Sequence, residues 1–296
     1  MPESLLVPTS ARVALERIVD YAGLFPPAQL SMPAAAREYE RCRQNAHAWM
    51  LGKFVVPAER VGELDAALAE DLPVPMAVLL GGEAAIRPMQ HVLPESCEIT
   101  LALPVRELGA TRTAIRALRK VLERLAPGLP IAVELPRRLS SAALAEAMDA
   151  LSDSRFGAKI RCGGATPDAT PPVQEVADFV VAASRAGVAF KATAGLHHPV
   201  RHFNATAGFV MHGFLNVLGA ACVASRYDTA TVREVVAEEE ASAFSFDERG
   251  FLWHDTVLAD AEALRADRLQ RFLGFGSCSF AEPVDDLMAL GILPRQ

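Results

Sequence analysis

Short apolar runs alternate with longer amphipathic stretches along almost the whole chain. Each short run has the length and residue types of a buried strand, and each longer stretch repeats its apolar residues at helical spacing. The predicted strands are 20–25, 51–57, 75–80, 98–104, 131–136, 157–163, 189–195 and 274–280. The most clearly delimited helices are 10–20, 31–44, 111–125, 140–151, 173–186, 213–224 and 283–290.

Repeated strand–helix units predict parallel strands joined by helical crossovers. With the first run included, eight units follow a leading helix, and eight units in about 250 residues form a (β/α)8 TIM-type barrel. The first unit has the weakest pattern. Without it a seven-stranded or distorted barrel results, and an open doubly wound sheet is the other alternative. We therefore predict one α/β barrel domain over residues 1–296.

Two segments depart from the repeat. The stretch between Leu196 and His212 predicts a long loop, and loops of that length are usually functional or mobile. The segment 243–255 predicts a β-hairpin inserted before the last strand, with its turn from Asp247 to Gly250.

Composition narrows the expected partners and compartment. The net charge is −7 and no run of Lys or Arg occurs, so neither nucleic acid nor a membrane surface is an expected partner. The N-terminus lacks the basic and apolar regions of a signal peptide, and no stretch has the roughly 20 apolar residues of a membrane span. The five cysteines are scattered without a CxxC pair, which predicts reduced thiols and a cytoplasmic protein.

Charged or polar residues interrupt several predicted strands, always on one face. They are Lys53, Glu134, Lys159, Arg161, Lys191 and Thr193. Their bulky apolar neighbours suit packing on the helices, because side chains alternate between the two faces of a strand. The charged side chains are therefore predicted to point into the barrel at its C-terminal mouth.

Cations outnumber carboxylates among these residues. Four cations face one carboxylate, Glu134, and a buried charge needs a partner. A single strand-end lysine usually reaches solvent, but the shared parity of several favours a common site. The expected partner is a small carboxylated or phosphorylated molecule that supplies the missing negative charge. Assembly with further copies of the chain, as a homo-oligomer, is left open by the sequence.

The run Lys191-Ala192-Thr193-Ala194-Gly195 is the most unusual in the sequence. A lysine in an apolar strand near other cations is predicted to have a lowered pKa and to attack ketones and aldehydes. The run resembles the lysine strand of class I aldolases such as deoxyribose-phosphate aldolase. This resemblance covers a handful of residues and implies an imine at Lys191 with Lys159 as the neighbouring cation. In the alternative interpretation, Lys191 only binds a carboxylate or phosphate.

Histidines follow this strand. His197 and His198 are adjacent, so an extended backbone points only one of them into the site, where it would transfer protons. His212 and Asn216 are predicted to share one helical face. Both would contact substrate there, or Asn216 would orient His212. Capping or packing of the helix is an equal alternative for Asn216. A divalent transition metal held by the histidines and Glu134 is another alternative, but the sequence has no HExxH or HxH.

Two turns rich in small residues are further candidates for anion binding. Gly163 and Gly164 leave their strand with backbone amides suited to an oxyanion, unless they only form a tight turn. Ser277 and Ser279 share a face at the end of the last strand, where phosphate sites of such barrels commonly lie. Ser279 is also placed to cap the closing helix.

The sequence therefore predicts an aldolase-like lyase that acts on a small anionic carbonyl compound without a resident cofactor. The predicted catalytic residues are Lys191, Glu134, Lys159, His197 and His198. The predicted substrate-binding residues are Lys53, Arg161, Gly163, Gly164, Thr193, His212, Asn216, Ser277 and Ser279. A metal-dependent hydrolase or isomerase and a non-catalytic protein that binds an anionic metabolite are the alternatives.

Overall fold

Strands and helices alternate along the chain. The structure is a computed structural model and describes residues 7–68, 73–81, 91–100, 109–164 and 166–295. Its strands are β1 (Val19–Tyr21), β2 (Leu51–Pro57), β3 (Val74–Leu80), β4 (Val92–Thr100), β5 (Ile131–Glu134), β6 (Gly157–Arg161), β7 (Phe190–Thr193), β8 (His202–Asn204), β9 (Phe209–Met211), β10 (Phe244–Asp247), β11 (Gly250–Trp253), β12 (Thr256–Ala259) and β13 (Phe272–Ser277). Its helices are α1 (Thr9–Leu15), α2 (Met32–Arg43), α3 (Val61–Ala67), α4 (Ala110–Leu125), α5 (Ser141–Ser154), α6 (Val173–Ala186), α7 (Phe214–Val223), α8 (Thr229–Ala237), α9 (Ala261–Gln270) and α10 (Ala281–Ala289).

Eight of the strands form a closed parallel barrel. Their order around the barrel is β1-β13-β7-β6-β5-β4-β3-β2. The ring closes at β1, which pairs in parallel with β13 on one side and with β2 on the other. The predicted (β/α)8 TIM-type fold is therefore confirmed, and the alternatives of an open sheet or a seven-stranded barrel are wrong.

The unit with the weakest sequence pattern has the shortest strand of the barrel. β1 covers three residues, all buried, and its pairing with β2 shifts register between Val19 and Tyr21. The preceding helix α1 ends at Leu15, earlier than predicted. These differences move β1 toward the N-terminus, so that Asp20 becomes its central residue rather than its first.

Apolar side chains on the outer faces of the barrel strands pack on the helices. Phe190 of β7 lies against Phe179 of α6, with ring centroids 5.5 Å apart. Phe54 of β2 lies at 5.5 Å from an aromatic ring of α2. Because side chains alternate along a strand, the adjacent Lys191 and Lys53 face the barrel interior.

The insertion before the last barrel strand is a three-stranded antiparallel sheet. β10 and β11 form the predicted hairpin, with Asp247 paired to Gly250. β12 then pairs antiparallel with β11, and α9 leads back to the barrel. Neither β12 nor α9 was predicted from the sequence.

Two predicted segments have different bounds in the structure. The long loop after β7 contains the short hairpin β8–β9. β4 begins at Val92 rather than at residue 98. Residues 101–104 of that predicted strand lie outside the described residues.

The longest described helix, α4, is amphipathic, with Ile115 and Leu122 buried on its inner face. Among the residues that the structure describes, no helix combines the length and the apolar character needed to cross a membrane.

Candidate active site

Seven charged side chains form a continuous series of contacts inside the barrel. In order they are Lys53, Asp20, Lys191, Glu98, Lys159, Glu134 and Arg161. We call this set the lysine–carboxylate cluster. Cations and carboxylates alternate along it, and each of the five inner side chains is less than a tenth exposed.

Glu98 joins the two buried lysines. One of its carboxylate oxygens, Oε1, accepts a hydrogen bond from Lys191 Nζ, and the other, Oε2, lies 2.7 Å from Lys159 Nζ. Lys191 Nζ also donates to Asp20 Oδ2 at 2.5 Å. Two ammonium groups are thus held at one carboxylate.

The outer contacts of the cluster are looser. Glu134 Oε2 lies 3.1 Å from Lys159 Nζ, an ion pair whose angle falls short of a hydrogen bond. Glu134 Oε1 accepts from Arg161 Nε at 3.4 Å. At the other end, Asp20 Oδ2 lies 4.0 Å from Lys53 Nζ, while Asp20 Oδ1 accepts from the backbone N–H of Lys53 at 2.6 Å.

The strand order shows that these contacts cross the barrel. Glu98 lies on β4, whereas Lys159 and Lys191 lie side by side on β6 and β7. Since β4 neighbours neither β6 nor β7 in the sheet, Glu98 reaches both lysines through the interior. The five charged residues selected by strand parity therefore meet in one interior network, as predicted.

Asp20 and Glu98 correct the predicted charge balance. The sequence prediction set four cations against Glu134 alone, whereas the cluster contains three carboxylates. Only one positive charge is left over among the described members. The cluster therefore still has an excess of positive charge that would attract an anion, but this excess is smaller than predicted.

The predicted lowering of the Lys191 pKa is wrong. Burial alone would lower the pKa of Lys191, but Asp20 and Glu98 together outweigh burial and raise it above its ordinary value. An ammonium held by two carboxylates is a poor nucleophile, because attack needs the neutral amine.

Glu98 is held in its ionised form. Burial would raise its pKa, but the two lysines outweigh that effect and lower it to about 2. Glu98 is therefore a permanent negative charge between two strands at neutral pH.

The lysine–carboxylate cluster contains most of the lysines of the chain. The chain has only four lysines among its 29 Lys and Arg residues, and three of them, Lys53, Lys159 and Lys191, belong to the cluster. Arginine cannot lose its proton in a protein, whereas a lysine can. A chain that otherwise uses arginine thus places its titratable amines inside the barrel.

His197 and His198 both contact the closing helix α10. His197 Nδ1 lies 3.0 Å from Glu282 Oε2 and 3.4 Å from Ser277 Oγ, and His198 Nδ1 lies 2.6 Å from Asp286 Oδ2. The two carboxylates are four residues apart on one face of α10. The histidines therefore attach the loop after β7 to this helix. In the described structure neither has a polar contact with the lysine–carboxylate cluster, so a role in proton transfer stays a prediction.

This attachment should depend on pH. Burial would lower the pKa of His197, but hydrogen bonds to Cys278 and Glu282 outweigh burial and raise it to about 9. A raised pKa stabilises the folded state fully below the unfolded value of about 6.5 and loses that effect as the pH rises through the folded value. The stability difference between the wild type and Glu282→Gln should therefore be greatest near pH 6 and decrease as the pH rises through about 9. Urea unfolding across this range tests it, and a difference that does not change with pH contradicts it.

His212 and Asn216 do not share a helical face, so this prediction is wrong. α7 begins at Phe214, which leaves His212 outside the helix. The buried ring of His212 donates from Nε2 to the carbonyl oxygen of Pro171 at 2.7 Å.

Asn216 has a structural position. Its Oδ1 accepts from the backbone N–H of Arg201 at 2.8 Å, and its Nδ2 donates to the carbonyl oxygens of Val235 and Glu238, both at 2.9 Å. The side chain is fully buried. These bonds use the amide to join the loop after β7 to α8, and they leave no donor for substrate.

The two predicted glycines lie in close-packed positions at the end of β6. A Cβ added to Gly163 would lie 2.8 Å from the Cα of Gly195, and one added to Gly164 would lie 2.5 Å from the Cβ of Ala169. A side chain at Gly163 would separate the loops that follow β6 and β7, and one at Gly164 would collide with Ala169 within the loop after β6. Packing accounts for both glycines, and an oxyanion cradle there stays a prediction.

Ser277 ends β13, Ser279 follows it, and Thr193 ends the neighbouring strand β7. Ser277 Oγ is buried and accepts from the backbone N–H of Ser279 at 3.3 Å. Ser279 Oγ accepts from the backbone N–H of Glu282 at 3.2 Å, which confirms its predicted capping role. Thr193 lies level with Arg161 on β6 and with Gly276 on β13. Contacts of these residues with substrate stay predictions.

The residues of the metal alternative lie apart. His197 and His198 contact carboxylates of α10, His212 contacts a backbone carbonyl, and Glu134 contacts cations. Among the described residues, no three His, Cys, Asp or Glu side chains converge in a way that could hold a metal ion.

Comparison with known proteins gives a similar fold among solved structures but no match at the level of sequence. No protein-family model and no curated protein sequence matches the chain. Among solved structures, the chain is similar to a deoxyribose phosphate aldolase of tetrameric structure from Aeropyrum pernix. The TM-score is 0.49 at 13% sequence identity, over 94% of this chain and 93% of that chain.

Proposed function

We propose that the protein is a lysine-dependent, aldolase-like lyase that forms an imine with a small anionic carbonyl compound. The observation that carries this proposal is the buried pair Lys159 and Lys191, which share the carboxylate of Glu98 inside a TIM-type barrel. A titratable amine beside a fixed cation is the arrangement that activates lysine for attack on a carbonyl group.

The two lysines have different roles in this proposal. Lys191 keeps its proton because two carboxylates hold it. Lys159 shares Glu98 with Lys191, and its second carboxylate, Glu134, lies 3.1 Å away without a hydrogen bond, whereas Lys191 donates to its second carboxylate, Asp20, at 2.5 Å. We therefore assign the nucleophile to Lys159 and the electrostatic role to Lys191, the reverse of the assignment made from the sequence.

The proposed reaction needs only groups in the cluster. The amine of Lys159 forms a C–N bond with the carbonyl carbon, and Glu134 transfers a proton from the nitrogen to the oxygen, which frees its carboxylate again. A second proton, from solvent, lets this oxygen leave as water, and a protonated imine remains. The bond between the α and β carbons then breaks, and its electron pair forms an enamine. Glu134 takes the proton of the β-hydroxyl, which becomes an aldehyde. Protonation of the enamine and hydrolysis of the imine release the second product.

Reductive trapping tests the proposal. The protein is treated with sodium cyanoborohydride and pyruvate, acetaldehyde or dihydroxyacetone phosphate, and its lysine peptides are examined by mass spectrometry. We expect an adduct on Lys159 with at least one of these probes. Lys120, exposed on α4, is the internal control for the reductive alkylation that any surface amine undergoes, and Lys159 should be labelled much faster than Lys120.

Two variants separate the roles. Lys159→Met should abolish trapping, whereas Lys191→Met should slow it by roughly 100-fold and leave Lys159 as the modified residue. An adduct on Lys191 in the wild type would show that the assignment is reversed. Failure of all three probes to label either buried lysine would remove the imine mechanism.

A further inference from the structure

A second feature of the barrel rim lies outside the lysine–carboxylate cluster. A cavity of about 220 Å³ opens where the carboxyl ends of β5 and β6 meet the first turns of α5 and α6. Arg161 lines this cavity and is also the last member of the cluster. The cavity therefore adjoins the proposed site through one side chain.

The entrance of the cavity carries positive charge that its acidic neighbours do not neutralise. Glu175 accepts from Arg137 Nε at 3.2 Å and Nη2 at 3.0 Å, and also from the backbone N–H of Arg138. Glu175 is therefore fully engaged, and Asp178, the other acidic residue of the lining, lies 3.7 Å from Nη2 of Arg233. The guanidinium of Arg138 has no partner among the described residues, and that of Arg161 is 46% exposed and pairs only with Glu134, at 3.4 Å.

Behind this entrance the walls of the cavity are mostly apolar. The apolar residues that line it are Leu135, Leu139, Leu144, Ile160 and Phe179. Two guanidinium groups at the opening of an apolar cavity fit a ligand with an apolar body and one planar anionic group. A carboxylate suits such groups because its two oxygens match the fork of an arginine side chain.

We infer that this cavity binds an organic carboxylate with an apolar body, and that Arg138 and Arg161 hold its carboxylate. The inference deepens the proposed function and rests on it for the link to catalysis. Arg161 contacts Glu134, and Glu134 contacts Lys159 at 3.1 Å, so a carboxylate held at Arg161 lies one side chain away from the proposed nucleophile.

Calorimetric titration of the whole protein with phenylacetate tests the site. Phenylacetamide is the neutral counterpart of this probe, and inorganic phosphate is an anion without an apolar body. We expect phenylacetate to bind at least about tenfold more tightly than either, because a charged hydrogen bond and apolar burial are both needed.

Variants place the binding at this cavity. Arg138→Gln should weaken phenylacetate binding about tenfold or more, and so should Arg161→Gln. Arg155→Gln is the matched control, because Arg155 is also an exposed arginine of left-handed backbone conformation, with φ of 57° against 60° at Arg138. It lies at the opposite end of α5 and should not change binding.

The outcomes separate this inference from the proposed function. Absent phenylacetate binding, unchanged binding in Arg138→Gln, or phosphate binding as tight as that of phenylacetate each overturns the carboxylate site. Trapping on Lys159 would be unaffected by such a result, and the proposed function would stand. Phenylacetate binding that is weakened by both arginine variants supports the site even where trapping fails.

Discussion

Replacement of Glu98 by glutamine is expected to lower the free energy of unfolding by about 3–5 kcal/mol. Among the described residues, Glu98 is the one carboxylate that both buried lysines contact, and its side chain is 3% exposed. The neutral amide leaves each ammonium with one carboxylate fewer in a place that water does not reach. Urea unfolding followed by circular dichroism at pH 7 measures the loss.

The loss should become smaller as the pH rises toward roughly 10, the range in which lysines titrate. In the variant, a buried lysine short of a carboxylate has a folded pKa below its unfolded value, so stability increases with pH. In the wild type the pKa of Lys191 is raised on folding, so the stability of the wild type decreases as the pH rises above that range. Glu123→Gln is the control, since it breaks an exposed pair with Arg119 and should cost only about 0.3–0.5 kcal/mol. Equal losses in the two variants would contradict the prediction.

Replacement of Asn216 by alanine is expected to lower the free energy of unfolding by about 2–4 kcal/mol. The hydrogen-bond partners of Asn216 belong to other segments of the chain. The change removes three hydrogen bonds of a fully buried amide. The backbone N–H of Arg201 and the carbonyl oxygens of Val235 and Glu238 then lose the partner that Asn216 provides. The free energy of unfolding in urea is again the measurement.

Asn204→Ala is the matched control for this asparagine. Its Oδ1 accepts from the backbone N–H groups of Thr206 and Ala207 in the exposed turn between β8 and β9, where water replaces a lost bond. The expected cost is about 0.5–1 kcal/mol. If Asn216→Ala cost no more than this, its bonds would not hold the loop after β7 to α8.

Strand parity was sufficient to select the charged residues that meet inside the barrel. Lys159, Arg161 and Lys191 interrupt apolar strands whose centres and faces are clear in the sequence, so small errors in their ends did not change which side chains point inward. The closed barrel follows from the same repeat of strands and helices. Both inferences depend on local alternation, which a sequence carries directly.

Asp20 and Glu98 were missed because errors in strand bounds moved them away from the mouth. The predicted strand 20–25 began at Asp20, whereas β1 has Asp20 at its centre. The predicted strand 98–104 began at Glu98, whereas β4 runs from Val92 to Thr100 and places Glu98 near its carboxyl end. Pro94 interrupts the apolar run at the start of β4, which hid that part of the strand.

The error in the pKa of Lys191 has the same origin. Its sign depends on two carboxylates that are distant in sequence, and burial alone gives the opposite direction. The bonds of Asn216 were unpredictable for a related reason, since they join segments whose proximity depends on the whole fold.

The cluster begins and ends with a cation that solvent reaches. Lys53 is 25% exposed and Arg161 is 46% exposed, whereas the five side chains between them are shielded. Dissolved ions weaken only those interactions that they can approach, over a distance of about 8 Å at physiological ionic strength. Added salt therefore leaves the inner pairing intact while it reduces the attraction of the two ends for an incoming anion. Ionic strength would thus control how often a charged molecule arrives at the rim, and would have little influence on the electrostatics it meets inside.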